Sequence, residues 1–536
     1  MLTLRFDISL WGMVQLHMAK GNTFQAGSMA TNTYNSLSKQ ELRTKSQLAG
    51  LRKVLPSSEP CQIFPCFLRT IYYNIIKSLV FLAGCEREKQ GKNSMRNDSG
   101  MTFTRRRFLI QGAMAAGAVA LPYYTPASAL GGAGNVAPSE RIVMGGIGIG
   151  GRGSYDLAYM LTEPDVQWVA VCDVLKSRRE AAKNMVDSKY NNKDCAVYGD
   201  MRQLLAERTD LDAVLIATGD RWHALASIWA MRAGKDVYCE KPACLTMEQG
   251  QGVVETARRY GRIYQTGAQR LSEPHHVFAI EMARSGRLGQ VHTVYADCRW
   301  RDGLLHDWLP AEPEPPKDEL DWDVWLGSSP WRPYNAGYVN GGGWYHYYDF
   351  ATDVAMWGAH TVAQALAGLD MANVSSIEFE YGGPDATMVT RLSNGVKLVL
   401  FRVAGSVWEA CQHWHGACGE RFDGPEGWVA AADGYSAPDV SSPALMREYK
   451  KVLADYTART QRPLNHVRDF FDCVRSRRPT VVNPEVMYQS MNICLAADIC
   501  EQLRRSLKFD LRKAEFVGDP EANRMRSRAM RVPYTI

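Results

Sequence analysis

Glu240-Lys241-Pro242 follows a short apolar run, Asp236 to Cys239, that reads as a β-strand. A lysine set before a proline at a strand end is a candidate for chemistry, because an ammonium there can polarise a substrate hydroxyl or act beside a cofactor ring. The plain alternative is a structural ion pair with Glu240. The second such stretch is Gly145 to Gly153, GGIGIGGRG, which contains GxGxxG at Gly148, Gly150 and Gly153. That spacing alone is weak in a chain with 45 glycines. Its context is specific: the apolar Arg141 to Met144 precedes it and the amphipathic Ser154 to Leu161 follows, the strand, turn and helix order of a dinucleotide-binding loop.

In such a loop Gly148 permits the tight turn, Gly150 lets backbone amides approach a pyrophosphate, and Gly153 lets helix and strand pack closely. Gly148, Ile149, Gly150, Gly151, Arg152 and Gly153 are therefore the expected phosphate cradle, with the phosphates at the helix N-terminus. A second strand, Val166 to Cys172, ends in Asp173, where a carboxylate would take the ribose hydroxyls and favour NAD. Lys176, Arg178 and Arg179 close by keep NADP open.

The elements that must position these residues alternate as a parallel sheet demands. Strands are expected at Arg141 to Met144, Val166 to Cys172, Ala213 to Ala217, Asp236 to Cys239 and Ile263 to Thr266, with helices at Met201 to Glu207, Ala224 to Arg232 and Met247 to Tyr260. This describes an α/β Rossmann domain over residues 130–268. Beyond Gly267 the period changes. His292 to Arg299 alternates, Ser376 to Tyr381 and Thr387 to Leu392 follow, and Asn394-Gly395 turns into Lys397 to Val403 as a hairpin. Helical patterns return at Val467 to Val474 and Met487 to Leu507.

The 536 residues suffice for two or three domains. The net charge of +5 is concentrated at the start: residues 1–129 carry 16 Lys+Arg against 6 Asp+Glu, leaving 46 against 51 in the remainder. A mildly acidic globular part argues against nucleic-acid binding. Residues 1–100 show no period or repeat and receive no fold; Leu82 to Cys85 resembles a lipoprotein processing box after the apolar Ile75 to Leu82, but Lys77 interrupts that run and chance is the better reading, and a start at Met95 or Met101 is the simpler expectation. Thr104-Arg105-Arg106-Arg107-Phe108-Leu109, the apolar Ile110 to Leu121 and Ala127-Ser128-Ala129 resemble a twin-arginine signal over 101–129. The expectation is export by the twin-arginine machinery to the periplasm, or otherwise out of the cytoplasm, and a mature chain from Leu130. Ten of the 13 cysteines follow residue 129 and none forms a CxxC pair, so they read as small buried hydrophobes. His413 and His415 have strand spacing but no third ligand, and no metal is expected.

The glycine loop with its strand-end Asp, then Ala217 to His223 (ATGDRWH), Glu240-Lys241-Pro242 and Gln265 to Arg270 (QTGAQR), resemble the Gfo/Idh/MocA oxidoreductase family. Leu320 to Gly327 with Pro330 to Asn335, and Glu515 to Asn523, resemble an exported bacterial branch of it. The resemblance implies an α+β C-terminal domain over 269–536, with a large open, mainly antiparallel sheet that serves as a homo-oligomer face. It also implies cofactor contacts at Thr218, His223, Glu240, Lys241 and Gln269, and catalysis by Lys241 with a histidine, matched here by His360. The family's Asp four residues before that histidine is Met356 in this chain, which can neither accept a proton nor anchor an imidazole.

Asp353, seven residues before His360, is a candidate replacement if the segment is helical, two turns along one face; a capping or substrate-binding role is the alternative. Arg270, Trp331, Arg332, Tyr345 and Tyr348 are candidate substrate contacts, since aromatics with a few charges suit sugar rings, although Trp344 to Phe350 also reads as an aromatic packing layer. The expected function is NAD(P)-dependent hydride transfer at a secondary alcohol of a sugar or polyol, with the cofactor tightly held. The alternatives are redox-neutral glycoside cleavage or elimination, and a scaffold that kept the fold and lost the chemistry.

Overall fold

Six short strands pair in parallel in the order β3-β2-β1-β4-β5-β6: Ile142–Ile147 (β1), Val166–Cys172 (β2), Ala196–Tyr198 (β3), Ala213–Ile216 (β4), Asp236–Cys239 (β5) and Tyr264–Thr266 (β6). All four residues of β4 and of β5 are buried, as expected of strands covered on both faces. The computed structural model describes residues 136–300, 303–383, 386–402 and 417–536. The unassigned leader, the twin-arginine stretch, its cleavage site, His413 and His415 lie outside these described residues.

Helices cross between the strands: Gly151–Met160 (α1), Lys176–Tyr190 (α2), Met201–Glu207 (α3), Asp220–Arg232 (α4) and Met247–Tyr260 (α5). Helix α4 begins four residues earlier than its apolar period suggested, so Asp220 to His223 form its first turn. Helix α2 and strand β3 carried no clear period: α2 is largely charged with only three buried residues, and β3 is three residues long.

A second sheet of nine strands follows, in the order β13-β12-β11-β7-β10-β9-β8-β14-β15. Its strands are Thr293–Asp297 (β7), Ser376–Glu380 (β8), Met388–Leu392 (β9), Lys397–Phe401 (β10), Glu420–Gly424 (β11), Gly427–Ala431 (β12), Asp439–Val440 (β13), Leu507–Asp510 (β14) and Glu515–Phe516 (β15). Every pairing is antiparallel except β10 with β7. The architecture is thus an α/β Rossmann sheet followed by a mainly antiparallel sheet with helices. The expected long helix Met487 to Leu507 instead spans Pro484–Leu503; Arg504 adopts a left-handed C-cap and Leu507 opens β14.

Helices of the second part carry the site: Pro274–Arg284 (α6), Ala355–Ala367 (α7), His466–Ser476 (α8) and Pro484–Leu503 (α9). Helix α7 lies between β7 and α9, and α9 also packs on α5 and β6 of the first sheet. Polar ties fix this junction. Buried Gln265 on β6 donates to the His466 carbonyl at 2.7 Å, and His466 lies 2.8 Å from the Thr266 carbonyl and 2.9 Å from the Ser272 hydroxyl. Among the described residues no helix is long and apolar enough to cross a membrane.

Candidate active site

The cofactor cradle forms where β1 turns into α1. Gly148 has φ +76°, and a Cβ on it would lie 2.6 Å from the Thr218 Cα; a Cβ on Gly153 would lie 2.6 Å from the Gly148 carbonyl oxygen. These are the tight turn and the close helix approach that the motif requires. Gly148, Gly150, Gly151 and Arg152 line a cleft of about 480 Å³ at the carboxyl ends of the strands, between β1 and β4, where the strand order reverses. Ile149 does not line it: 1% exposed, it packs into the core beneath the loop.

Asp173, at the end of β2, also lines the cleft, and its Oδ1 accepts from the Leu175 amide at 2.9 Å. Burial pushes its carboxyl up to about 6 against the opposing charges of Arg178 and Arg179. Of the three basic residues behind it, Lys176 is paired with Glu319 at 2.8 Å, and Arg179 donates to the Asp173, Val174 and Asp318 carbonyls. Arg178 alone of the three lines the cleft. The turn, the helix N-terminus and a carboxylate at the strand end fit an adenine dinucleotide.

Thr218 and His223 tie the two loops of the cleft together. The His223 ring lies 3.0 Å from the Thr218 carbonyl and 2.7 Å from the Pro242 carbonyl, so it braces the Lys241 loop from inside. Glu240 is buried and accepts from Gln269 at 2.7 Å, with Arg152 at 3.5 Å. Arg152 also pairs with Asp156 at 2.9 Å, and burial together with Glu240 pushes the Asp156 carboxyl up to about 8.

On the opposite wall Lys241 Nζ donates to the Met356 carbonyl at 3.0 Å and lies 5.4 Å from the centre of the Trp357 ring. One turn further along α7, His360 is 2% exposed, and its Nε2 accepts from Arg270 Nη1 at 3.3 Å. An acceptor Nε2 leaves the ring proton on Nδ1, which is buried without a partner. Burial, with Arg270 and Lys241 alongside, holds His360 well below the usual histidine range, so the ring is neutral. Arg270 is itself fixed by Asp433, which accepts from its Nε at 2.8 Å and from its Nη2, and by Gln269 at 3.1 Å. Burial would raise the Asp433 carboxyl, but His276 3.8 Å away and the hydrogen bonds and charge of Arg270 hold it far below the usual carboxylate range.

The cleft therefore brings together Lys241, His360, Arg270, Gln269 and Tyr345, with Trp344 stacked on Tyr345 at 3.8 Å between ring centres. It does not include Asp353. Helix α7 starts at Ala355, so Asp353 precedes the first turn and shares no helical face with His360; it lines a separate cavity with Asp498 and Glu501. Tyr348 faces that second cavity and stacks under the Arg528 guanidinium at 3.7 Å. Trp331 is 56% exposed on the surface outside the cleft. Arg332 is 1% exposed, paired with Asp349 and held over the Phe350 ring at 4.6 Å, a packing role.

The carboxylate that the sequence reading sought at 353 is matched in the cleft by Asp220, the first residue of α4. It is 3% exposed, its Oδ2 has no hydrogen-bond partner, and burial pushes it up to about 7 against the charges of Lys241 and Arg221. Asp220 belongs to the ATGDRWH stretch, ahead of the helical period expected from Ala224, and it is the earlier start of α4 that sets it in the cleft. Arg221 beside it donates to the Trp325 carbonyl at 2.7 Å and stacks on that ring at 3.6 Å, which gives the Trp322 to Leu326 segment a bracing role.

Residues 141–268 match the Gfo/Idh/MocA model described as an oxidoreductase family NAD-binding Rossmann fold, and residues 418–536 match the companion C-terminal alpha/beta domain. The chain carries Gfo/Idh/MocA family oxidoreductase domains, and its first sheet is an NAD-binding Rossmann fold. It is 30% identical over 154 residues to glycosyl hydrolase family 109 protein 1 of Bacteroides thetaiotaomicron, a stretch covering 28% of this chain and 33% of the relative. It is 33% identical over 153 residues to inositol 2-dehydrogenase of Salmonella typhimurium, covering 28% of this chain and 43% of the relative. The matched stretches thus span less than half of these relatives. Among solved structures, the WlbA dehydrogenase of Chromobacterium violaceum, in complex with NADH and UDP-GlcNAcA, superposes with a TM-score of 0.49 at 15% identity, over 70% of this chain and 98% of that one.

Proposed function

We propose that the protein is an exported NAD-dependent oxidoreductase that acts on a secondary alcohol of a sugar or polyol and keeps its cofactor bound between turnovers. The observation that carries this reading is the convergence of Lys241, neutral His360 and Arg270 on one wall of the cleft that holds the glycine cradle. The cofactor supplies a nicotinamide that accepts or returns a hydride. Lys241 polarises the alcohol oxygen. The substrate hydroxyl takes the place of Arg270 Nη1 at His360 Nε2 and hands its proton there, while the hydride leaves from the same carbon and a ketone forms. Arg270 stays anchored by Asp433 and Gln269. A buried, weakly basic imidazole serves for a hydroxyl already acidified by an ammonium, and returns the proton readily on the reverse step. A cofactor carried through the twin-arginine route and regenerated in place suits a compartment where no NAD pool is expected.

The name of the Bacteroides relative favours a second reading, redox-neutral glycoside cleavage, in which the transient ketone acidifies a neighbouring C–H, the glycosidic oxygen leaves, and the hydride is returned. The test is to identify the nicotinamide released from native protein and then to mix the protein with sugars, polyols and glycosides. Net reduction of the cofactor supports simple oxidoreduction. Release of an aglycone without net reduction supports the second reading. A protein whose bound nicotinamide never changes redox state is a scaffold, and both readings fall. A homo-oligomer formed through the nine-stranded sheet belongs to the same proposal and is checked by solution mass measurement.

A further inference from the structure

Behind Arg270, at the start of α6, the sequence Glu273-Pro274-His275-His276 places two imidazoles and a carboxylate together. One ligand atom from each of Glu273, His275 and His276 lies within 4.8 Å of the other two, and Glu273 Oε2 is 3.9 Å from His275 Nε2. The two rings sit 4.2 Å apart. We propose that Glu273, His275 and His276 form a binding site for one divalent transition-metal ion of the zinc class, with Asp433 at the fourth corner.

Three independent features point to a cation here. First, the Nε2 atoms of both histidines are buried with no hydrogen-bond partner, on side chains that are 9% and 0% exposed. Two buried imidazole nitrogens without a hydrogen-bond partner are costly unless a proton donor or an ion meets them.

Second, the far side of His276 is built as metal-binding histidines are built. Its Nδ1 meets both carboxylate oxygens of buried Glu420 at 2.9 Å, and Gln364 Nε2 donates to Glu420 at 2.9 Å. A carboxylate on Nδ1 holds a ring proton there and leaves Nε2, 3.8 Å from Asp433 Oδ1, as the atom that would meet an ion. The Ala432 backbone hydrogen-bonds the His275 ring, and His275 Nε2 remains the unpartnered atom.

Third, Glu273 occupies the N-cap position of α6 but makes no capping bond, so its carboxylate is not spent on the helix. Asp433 Oδ1 lies 3.8 Å from His276 Nε2. Two imidazoles and carboxylate oxygens are the donor set of zinc and its neighbours rather than of calcium or magnesium. Bonds of about 2.0–2.2 Å place tetrahedral donors about 3.3–3.6 Å apart. The Glu273–His275 and His276–Asp433 pairs, at 3.9 and 3.8 Å, are within a few tenths of an ångström of that, and the widest pair of the cluster, within 4.8 Å, closes by up to about 1.5 Å as the side chains turn onto the ion.

The site adjoins the active-site wall through Asp433, which anchors Arg270, which in turn meets His360. A bound ion would clamp the entry of α6 to the chain leaving β12 and so set the position of Arg270; it is a positioning element, outside the cleft itself.

The test uses the mature protein with its nicotinamide bound, stripped with a chelator and titrated with Zn²⁺, and with Co²⁺ as a visible-absorbing probe. One zinc per chain is expected, with a cobalt d–d band. Glu273→Gln and His275→Ala should each weaken binding by at least about 10-fold and erase or shift that band. Both variants should keep bound nicotinamide, which reports an intact fold even if His276→Ala, facing Glu420, does not fold. The proposal is overturned if the wild type binds no stoichiometric zinc. It is equally overturned if both variants hold zinc as the wild type does, since the ion would then lie elsewhere. A proton shared between His276 and Asp433 would be the reading that remains.

Discussion

The ammonium of Lys241 is anchored by the main-chain carbonyl of Met356, at 3.0 Å, and not by a side chain. A neutral backbone acceptor aims the ammonium without spending its charge, so residue 356 need not be acidic for Lys241 to work. Met356→Ala should therefore keep turnover within a few-fold, and Met356→Asp should bring no gain. Lys241→Met and His360→Ala should each lower kcat by about 100-fold to 10,000-fold while nicotinamide stays bound. Steady-state rates on the best sugar found, with cofactor content measured alongside, check all four.

Asp220 and Asp353 are expected to separate cleanly. Asp220 lines the cleft and feels the charge of Lys241, whereas Asp353 lines another cavity. Asp220→Asn should lower kcat by about 10-fold or more with a small change in nicotinamide affinity, and Asp353→Asn should leave kcat unchanged within a few-fold. A crippled Asp353→Asn with intact folding would place the proton path elsewhere.

Nicotinamide affinity should depend on pH through Asp173. Burial raises its carboxyl to about 6, so below that pH it is protonated and must lose the proton to accept ribose hydroxyls. Binding of NAD to stripped protein should weaken as pH falls through about 6, by up to about 10-fold per pH unit. Asp173→Asn should flatten that dependence, and titration calorimetry across the range measures it. Asp173→Ser should shift preference toward NADP, because Arg178 alone of the nearby bases lines the cleft.

Gly153 carries a packing constraint that a methyl group violates. A Cβ there meets the Gly148 carbonyl oxygen at 2.6 Å, so Gly153→Ala must push α1 off the loop. It should cost about 1–3 kcal/mol in stability and most of the NAD binding. A denaturant melt with and without added NAD reads both effects.

Much of this was legible in the sequence because it is local. The glycine loop, β2 and β5, helices at Met201–Glu207 and Met247–Tyr260, and the hairpin at Asn394-Gly395 follow from period and turn chemistry over short windows. Lys241 and Asp173 were legible because strand ends in a parallel sheet are where ligands bind. The failures were long-range. Asp353 was placed by counting helical turns, which breaks down when the helix starts two residues later. Arg332 and Tyr348 looked like sugar contacts because charge beside aromatics carries the same pattern when it is packed as when it is exposed. The Asp519 to Asn523 stretch is a clasp, with Asn523 bonded to both the amide and the carbonyl of Phe516 and Asp519 paired with Arg505. The Glu273 to His276 cluster was invisible as chemistry until Glu420 and Asp433, more than 140 residues away, were brought beside it.

The central claim is that Lys241 and His360 serve hydride transfer to a nicotinamide held in the glycine cradle. The most direct measurement is the near-ultraviolet absorbance of reduced nicotinamide in purified protein mixed, in a single turnover, with glucose, myo-inositol and N-acetylhexosamine glycosides. The account predicts that at least one of these raises the absorbance, transiently or lastingly, and that Lys241→Met slows the rise by about 100-fold or more with cofactor still bound. No absorbance change with any of them, or an equal rise in Lys241→Met, would contradict it.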